Sequence, residues 1–327
     1  MKNIKVGVIG VGYLGRFHAQ KYAGLEGVTL VGVADTDIAQ GKRVAEECGC
    51  QSFDNYKDLL PAVDAVSIVV PTSHHHKVAG ECLEAGIDVL LEKPMTVTIE
   101  EADELIALSE AKKLVLQIGH LERFNPAVQA MEPFLTTPVF IESNRIATFK
   151  NRGVDVDVVL DLMIHDIDII LNIIQSPIKT IHTVGAPVAT ANTDIANARL
   201  IFENGATANV TVSRISRTNV RKMRIFQPGS YINVDFGNKK VMTIQLSEEL
   251  RDGVMPKQEV ELRTFADGDA LLSEITSFVQ HVRDRSKPAV SGVEGRRALA
   301  VALQVMDQIK EHQKLDLFQK FLYPQKS

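Results

Sequence analysis

Ile4-Lys5-Val6-Gly7-Val8-Ile9-Gly10-Val11-Gly12-Tyr13-Leu14-Gly15 is the stretch that decides the fold. Its first six residues read as a buried strand, and a helix from about Arg16 to Leu25 follows the glycines. Glycines in the pattern G-x-G-x-x-G are a weak signal alone, but this set follows a strand and opens a helix. A second strand, Val28 to Ala34, then ends in Asp35, 20 residues after Gly15. Gly10 permits the tight turn, Gly12 lets the backbone approach a pyrophosphate, and Gly15 lets helix and strand pack closely. The helix N-terminus offers its unbonded N–H groups to phosphate. Gly10, Gly12, Tyr13, Leu14, Gly15 and Asp35 are therefore expected to bind a dinucleotide. A carboxylate at position 35 can accept from ribose hydroxyls, whereas a 2′-phosphate there would meet a like charge at a cost on the order of 4 kcal/mol. Thr36-Asp37-Ile38 brings no adjacent arginine, so NAD is expected over NADP.

The winding continues outward from that unit. Helical patterns near Ile38–Cys48, Tyr56–Leu60, 77–85 and Ile99–Lys112 alternate with apolar runs at Gln51–Phe53, Ala65–Val70, Val89–Glu92 and Leu114–Ile118. This alternation implies a doubly wound parallel sheet. Ligands of such sheets gather outside the carboxyl ends of the strands. Thr72 and His75, in the loop Pro71-Thr72-Ser73-His74-His75-His76, and Glu92 and Lys93 stand at two such ends and are expected along the cofactor. Consecutive histidines do not share a face of a helix or strand, so no metal is expected. Lys93, followed by Pro94, is the only cation between Lys77 and Lys112. It is either a strand terminus reaching water or a charge aimed at a substrate.

At Gly119-His120-Leu121-Glu122-Arg123-Phe124-Asn125-Pro126 the pattern changes, with the proline at the first turn of a helix. We place a dinucleotide domain at 1–121 and a second domain at 122–327. From Lys179 to about Thr264 strand patterns follow one another; Ala206 to Ser213 alternates small or apolar with polar residues. A large, mainly antiparallel sheet is implied, closed by helices near Asp269–Asp284 and Val293–Gln313. The fold class is α/β Rossmann plus a C-terminal α+β domain.

The totals restrict the function. A net charge of −5 over 327 residues argues against a nucleic-acid partner. Three cysteines (Cys48, Cys50, Cys82) lack the four-ligand spacing of structural zinc and suit a reducing compartment. No apolar run approaches the roughly 20 residues of a spanning helix, and no signal segment is seen. A cytoplasmic protein without membrane association is expected.

Within the expected helix Asp157–Ile174, the residues Asp161, His165, Asp168 and Asn172 fall on one stripe of an otherwise apolar surface, with Asp166 the exception. Such a stripe either lines a cavity or is the wet face of an ordinary amphipathic helix. A histidine flanked by carboxylates one turn away can be held in one tautomer and titrate near neutrality. That suits a base removing a hydroxyl proton.

Together with Pro71-Thr72-x-x-His75, Ala85-Gly86-x-x-Val89-x-x-Glu92-Lys93-Pro94, Asp161-x-x-x-His165 and Ser291-Gly292-x-Glu294-Gly295, these motifs resemble the Gfo/Idh/MocA oxidoreductases over essentially the whole chain. The resemblance implies that Lys93 and His165 are the catalytic pair, with Asp161 supporting. It also implies an open sheet face making a homodimer or homotetramer. Many members carry a Gly-Gly pair before the Asp-x-x-x-His helix, where this chain has Gly153 alone, which speaks against carrying over a polyol substrate.

Gly119 to Pro126 with Asp161-Leu162-Met163-Ile164-His165-Asp166 resembles the branch that oxidises sugar nucleotides, in particular the 3-hydroxyl of UDP-N-acetylglucosamine. The 3-keto product of that branch is converted to a 3-amino sugar of some lipid A molecules. Arg123, Asn125 and Asp168 would then lie near the sugar. A diphosphate needs cations away from the cofactor. Val210 to Arg224 holds Arg214, Arg217, Arg221, Lys222 and Arg224 with no acid, and Lys150 and Arg152 form a second cluster. These are either substrate contacts or a solvated or oligomer-facing basic strand. A free-sugar or inositol dehydrogenase and a non-catalytic NAD-binding regulator are the alternatives.

Overall fold

The computed structural model describes residues 3–149, 156–246 and 257–315. The chain forms two compact units, Met1–Phe124 with Asp269–Leu299, and Asn125–Gly268 with Ala300–Ser327.

The first unit is a six-stranded parallel sheet with strands β1 (Ile4–Ile9), β2 (Val28–Ala34), β3 (Gln51–Phe53), β4 (Ala65–Ile68), β5 (Asp88–Glu92) and β6 (Leu116–Gly119), in the order β3-β2-β1-β4-β5-β6. β4, β5 and β6 are buried along their whole length, as strands covered on both faces must be. Helices α1 (Tyr13–Ala23), α2 (Ile38–Cys48), α3 (Tyr56–Leu59), α4 (His75–Glu84) and α5 (Ile99–Lys112) make the crossovers. α5 starts with a capping box in which Thr98 and Glu101 satisfy each other's backbone N–H groups.

The chain passes from the first unit to the second between Phe124 and Asn125, and a later segment also belongs to the first unit. Helix α8 (Ala270–Asp284) places Ile275, Phe278, Val279 and Val282, spaced as one helical face, in the same core as Val6, Val8, Tyr22 and Val33. The first part of helix α9 (Gly292–Gln313) goes with it.

The second unit is built on an eight-stranded sheet. Its strands are β7 (Phe140–Thr148), β8 (Ile178–Ala186), β9 (Ile195–Phe202), β10 (Thr207–Ser216), β11 (Val220–Gln227), β12 (Ser230–Asp235), β13 (Lys240–Leu246) and β14 (Gln258–Thr264), in the order β14-β13-β12-β11-β7-β10-β9-β8. Every pairing is antiparallel except β7 with β10. Helix α6 (Pro126–Met131) opens the unit, and α7 (Ile164–Ile173) lies among its buried residues.

The sequence predicts one uninterrupted helix over 157–174, and the structure departs from it. Asp157 caps the start, its Oδ1 accepting from Val159 N at 2.9 Å. Val159–Met163 then forms a π turn in which Ile164 N–H donates to Val159 O, five residues back, before α7 begins.

Candidate active site

The glycine turn is shaped as its spacing predicts. Gly10 has φ +83°, and a Cβ there would stand 2.6 Å from the Val69 carbonyl oxygen. A Cβ on Gly15 would stand 1.9 Å from the Gly10 carbonyl oxygen, so helix and turn touch there without room for a side chain. Around Gly12 a Cβ would meet nothing within 4 Å, so the space above it is open. Gly12 caps α1 without a side-chain hydrogen bond, and the first turn has no acid. The N–H groups and dipole of α1 are therefore available to an anion.

A cavity of about 650 Å³ lies over this turn, walled by Gly10, Gly12, Asp35, Val69, Pro71 and His74 among others. Asp35 Oδ2 accepts from Val11 N at 2.7 Å and Oδ1 from Asp37 N at 2.9 Å. The carboxylate is thus fixed to the glycine turn and presented at the cavity wall. Open space at Gly12, the N-terminus of α1 and a fixed carboxylate beyond it fit an NAD adenosine and pyrophosphate.

Tyr13 is 67% exposed and lines a second hollow with Gly12, Asp35, Arg16 and Arg43. Arg16 comes from α1 and Arg43 from α2, beyond the Thr36-Asp37-Ile38 that directly follows Asp35. Arg16 is bound by Glu47 through Nε at 2.7 Å and Nη2 at 2.9 Å, and Arg43 donates to Gln40. Leu14 is half-buried in the first turn of α1.

At the ends of β4 and β5 some expectations are corrected. His75 is 1% exposed; its Nδ1 lies 2.9 Å from Pro94 O and its Nε2 2.9 Å from Val70 O. Burial pushes its pKa down, and both ring nitrogens face backbone, so His75 ties two strand-end loops together instead of touching cofactor. His74, one residue earlier, lines the cavity, and Thr72 is half-buried beside it. Glu92 also turns inward. Its Oε2 accepts from Lys93 N at 3.2 Å and its Oε1 lies 3.2 Å from His18 Nε2. Lys93 is half-buried, and the Lys93–Pro94 peptide is cis.

In the second unit Asp161 and His165 are half-buried, one in the π turn and the other in α7. Asp168 is only 2% exposed, so the wet stripe stops short of it, while Asn172 is half-buried. Asp166, the exception on the apolar surface, is 1% exposed and held in a two-point ion pair by Arg145, Nε–Oδ2 2.8 Å and Nη2–Oδ1 3.0 Å. The guanidinium also lies 5.3 Å from the Phe236 ring centre. This clamp fixes the rotation of the helix that carries His165. In the sequence its one signal is the lone acid on an apolar helix, which implies a buried partner without saying which.

The basic clusters are mostly otherwise engaged. Arg214 is buried, donates to Val156 O and to Thr193 O (2.9 Å), and stands 3.4 Å from Asp194. It shares strand parity with Ala208, Val210 and Val212, all buried, and that parity points it inward. Lys222 faces Asp235 at 3.6 Å and Arg224 pairs with Glu142. The acids absent from the segment itself come from neighbouring strands. Arg217 and Arg221 are exposed. Lys150 and Arg152 lie outside the described residues. Asn125 is a helix cap: its Oδ1 accepts from Ala127 N at 3.1 Å and its Nδ2 donates to Phe236 O at 3.2 Å. Its expected place beside a sugar is thereby corrected, while Arg123 is half-buried in the turn before it.

Comparison with known proteins agrees with this architecture. A family model described as an oxidoreductase family with an NAD-binding Rossmann fold, GFO/IDH/MocA, matches residues 4–120, and its C-terminal domain model matches residues 141–227. The chain is 41% identical over 306 residues to the UDP-N-acetylglucosamine 3-dehydrogenase of Acidithiobacillus ferrooxidans, covering 93% of this chain and 97% of that one. A solved structure of that enzyme superposes with a TM-score of 0.89 at 40% identity, over 95% of this chain and 99% of the other. The myo-inositol 2-dehydrogenase of Thermotoga maritima is 22% identical, with 96% of this chain and 98% of that one covered.

Proposed function

The chain belongs to the GFO/IDH/MocA oxidoreductase family, and from that membership we propose that it oxidises a secondary alcohol of a sugar nucleotide, the 3-hydroxyl of UDP-N-acetylglucosamine, to a ketone. The observation that carries this reading is the 41% identity, along nearly the full length of both chains, to an enzyme named for that reaction. The relative named for inositol stands at about half that identity, 22%. A 3-keto product of this kind suits amination to the 3-amino sugar of some lipid A molecules.

NAD, when bound, would supply the hydride acceptor. Gly10, Gly12, Gly15 and the α1 N-terminus would hold its pyrophosphate, and Asp35 would take the ribose hydroxyls. The Asp35 charge disfavours a 2′-phosphate. His165 removes the hydroxyl proton, because an imidazole is matched to proton transfer near neutral pH. Asp161 orients that ring. The Lys93 ammonium stabilises the oxygen as negative charge builds on it. Arg123 and the exposed Arg217 remain the described basic residues assigned to the sugar nucleotide. Assembly through the second unit's sheet is part of the same reading; Val260 and Leu262 on edge strand β14 are 60% and 64% exposed. No helix among the described residues is long and apolar enough to cross a membrane, in keeping with a cytoplasmic enzyme.

Replacing the base tests the assignment. His165→Asn should lower kcat by about 10²-fold or more, as loss of a general base does, with NADH affinity unchanged. Near-normal turnover of a folded His165→Asn protein would remove His165 from the mechanism.

A further inference from the structure

Behind the strand end that carries Lys93 lies a buried group of titratable side chains that the proposed mechanism leaves unused. His18 of α1, Glu92 of β5 and Glu274 of α8 are 0%, 8% and 0% exposed. One ring nitrogen of His18 and one carboxylate oxygen of each glutamate lie within 4.8 Å of one another. Neither Glu274 oxygen accepts a hydrogen bond from a described residue. His18 Nε2 and Glu92 Oε1 are 3.2 Å apart. Glu92 is confined on two further sides. Its Oε2 accepts from Lys93 N at 3.2 Å, and its carboxyl group covers Gly119, where a Cβ would come within 2.9 Å of it.

Two carboxylates this close in a buried site cannot both be ionised at ordinary cost, so one keeps its proton. Glu274 is the deeper of the two, and burial together with the Glu92 charge pushes its pKa well up. A neutral Glu274 has one O–H to place, and Glu92 and His18 are the acceptors in reach. Leaving that O–H unpaired would cost about 1–3 kcal/mol.

We propose that Glu274 is a positioning residue for Lys93: its buried carboxyl group donates a hydrogen bond to the Glu92 carboxylate and so holds Glu92 over Gly119 and against the Lys93 peptide N–H. The proposal rests on the reading that Lys93 acts on the reacting oxygen. It makes the two glutamates unequal, Glu92 being the charged member and Glu274 the neutral donor. A cation held by all three side chains would instead require Glu274 as an anion.

The test compares Glu274→Gln, Glu274→Met, Glu92→Gln and Lys93→Met in the full chain. The measurements are kcat and KM with the sugar substrate the protein oxidises, and NADH affinity by fluorescence. Glutamine keeps an N–H donor where the acid had O–H, so Glu274→Gln should stay within about twofold of the parent kcat. Glu274→Met should lose about tenfold or more in kcat, the equivalent of a hydrogen bond to a charged group, with NADH affinity and KM unchanged. Parental kcat in Glu274→Met overturns the proposal. So does a loss in Glu274→Gln as large as that in Glu274→Met, which would mean that the anion is needed. If Glu274→Met does not fold, the contrast between Glu92→Gln (impaired) and Glu274→Gln (active) decides, and equal losses overturn it. Parental turnover in Lys93→Met would sink the underlying mechanism, and the proposal with it.

Discussion

Asparagine in place of Asp166 removes one charge from the clamp that orients the His165 helix and changes little else. Asp166 and Arg145 are 1% and 3% exposed, and two short N–H···O contacts of 2.8 and 3.0 Å join them. Asp166→Asn therefore leaves the guanidinium buried beside Phe236 without the Asp166 charge. Breaking such a pair from one side costs about 3–5 kcal/mol. For a unit of this size each kcal/mol lowers Tm by roughly 2–4 °C, so the fall should be about 6–20 °C. Replacing both partners at once, Arg145→Met with Asp166→Leu, removes the stranded charge and should recover most of the loss, because buried ion pairs gain little over apolar packing. Urea unfolding of the parent, both single variants and the double variant measures the coupling directly. An Asp166→Asn cost below about 1 kcal/mol, the range of exposed pairs, would refute the clamp. A double variant as damaged as the sum of the singles would refute it too.

Asp35→Ser should raise the ratio of kcat/KM for NADP over NAD by about tenfold or more, since one like charge at the 2′ position is removed and Arg16 and Arg43 already flank the hollow. Parallel initial-rate series with the two cofactors check this, and an unchanged ratio would contradict Asp35 as the selector. For Asp194, burial pushes the pKa up, but the backbone N–H groups of Val188, Thr190 and Ala189 outweigh it and hold the pKa below its ordinary 3.8. A depressed carboxyl pKa stabilises the fold above the unfolded-state value, and that contribution disappears as pH falls through the folded-state value. The stability difference between parent and Asp194→Asn should thus be constant from neutrality to about pH 5 and shrink in stronger acid. A difference that widened on acidification would have the wrong sign.

The Rossmann half was readable because its signals are local. Apolar runs, glycine spacing and the acid after β2 lie within a few dozen residues, and each strand end falls within two residues of the expected one. Helix α8 shows the limit: its apolar face at Ile275, Phe278, Val279 and Val282 announces burial but does not say which core receives it. The π turn at Val159–Met163 was invisible for a similar reason, since a single wider turn leaves the apolar pattern nearly unchanged. Two misplacements were avoidable. Strand alternation already turned Arg214 inward with Val212, and Asn125 before Pro126 has the pattern of a helix cap. Arg16 near Asp35, and Glu274 near Glu92, meet only through tertiary folding.

In the proposed reaction the oxidised alcohol belongs to a sugar nucleotide. The direct measurement supplies the protein with NAD and, in separate reactions, UDP-N-acetylglucosamine, free N-acetylglucosamine and myo-inositol, and follows absorbance at the NADH band. NADH should form with UDP-N-acetylglucosamine, and kcat/KM should be at least about 10²-fold lower for the two compounds that lack the diphosphate, as expected when charged contacts to it are lost. Turnover of myo-inositol or the free sugar at equal or greater efficiency would contradict it.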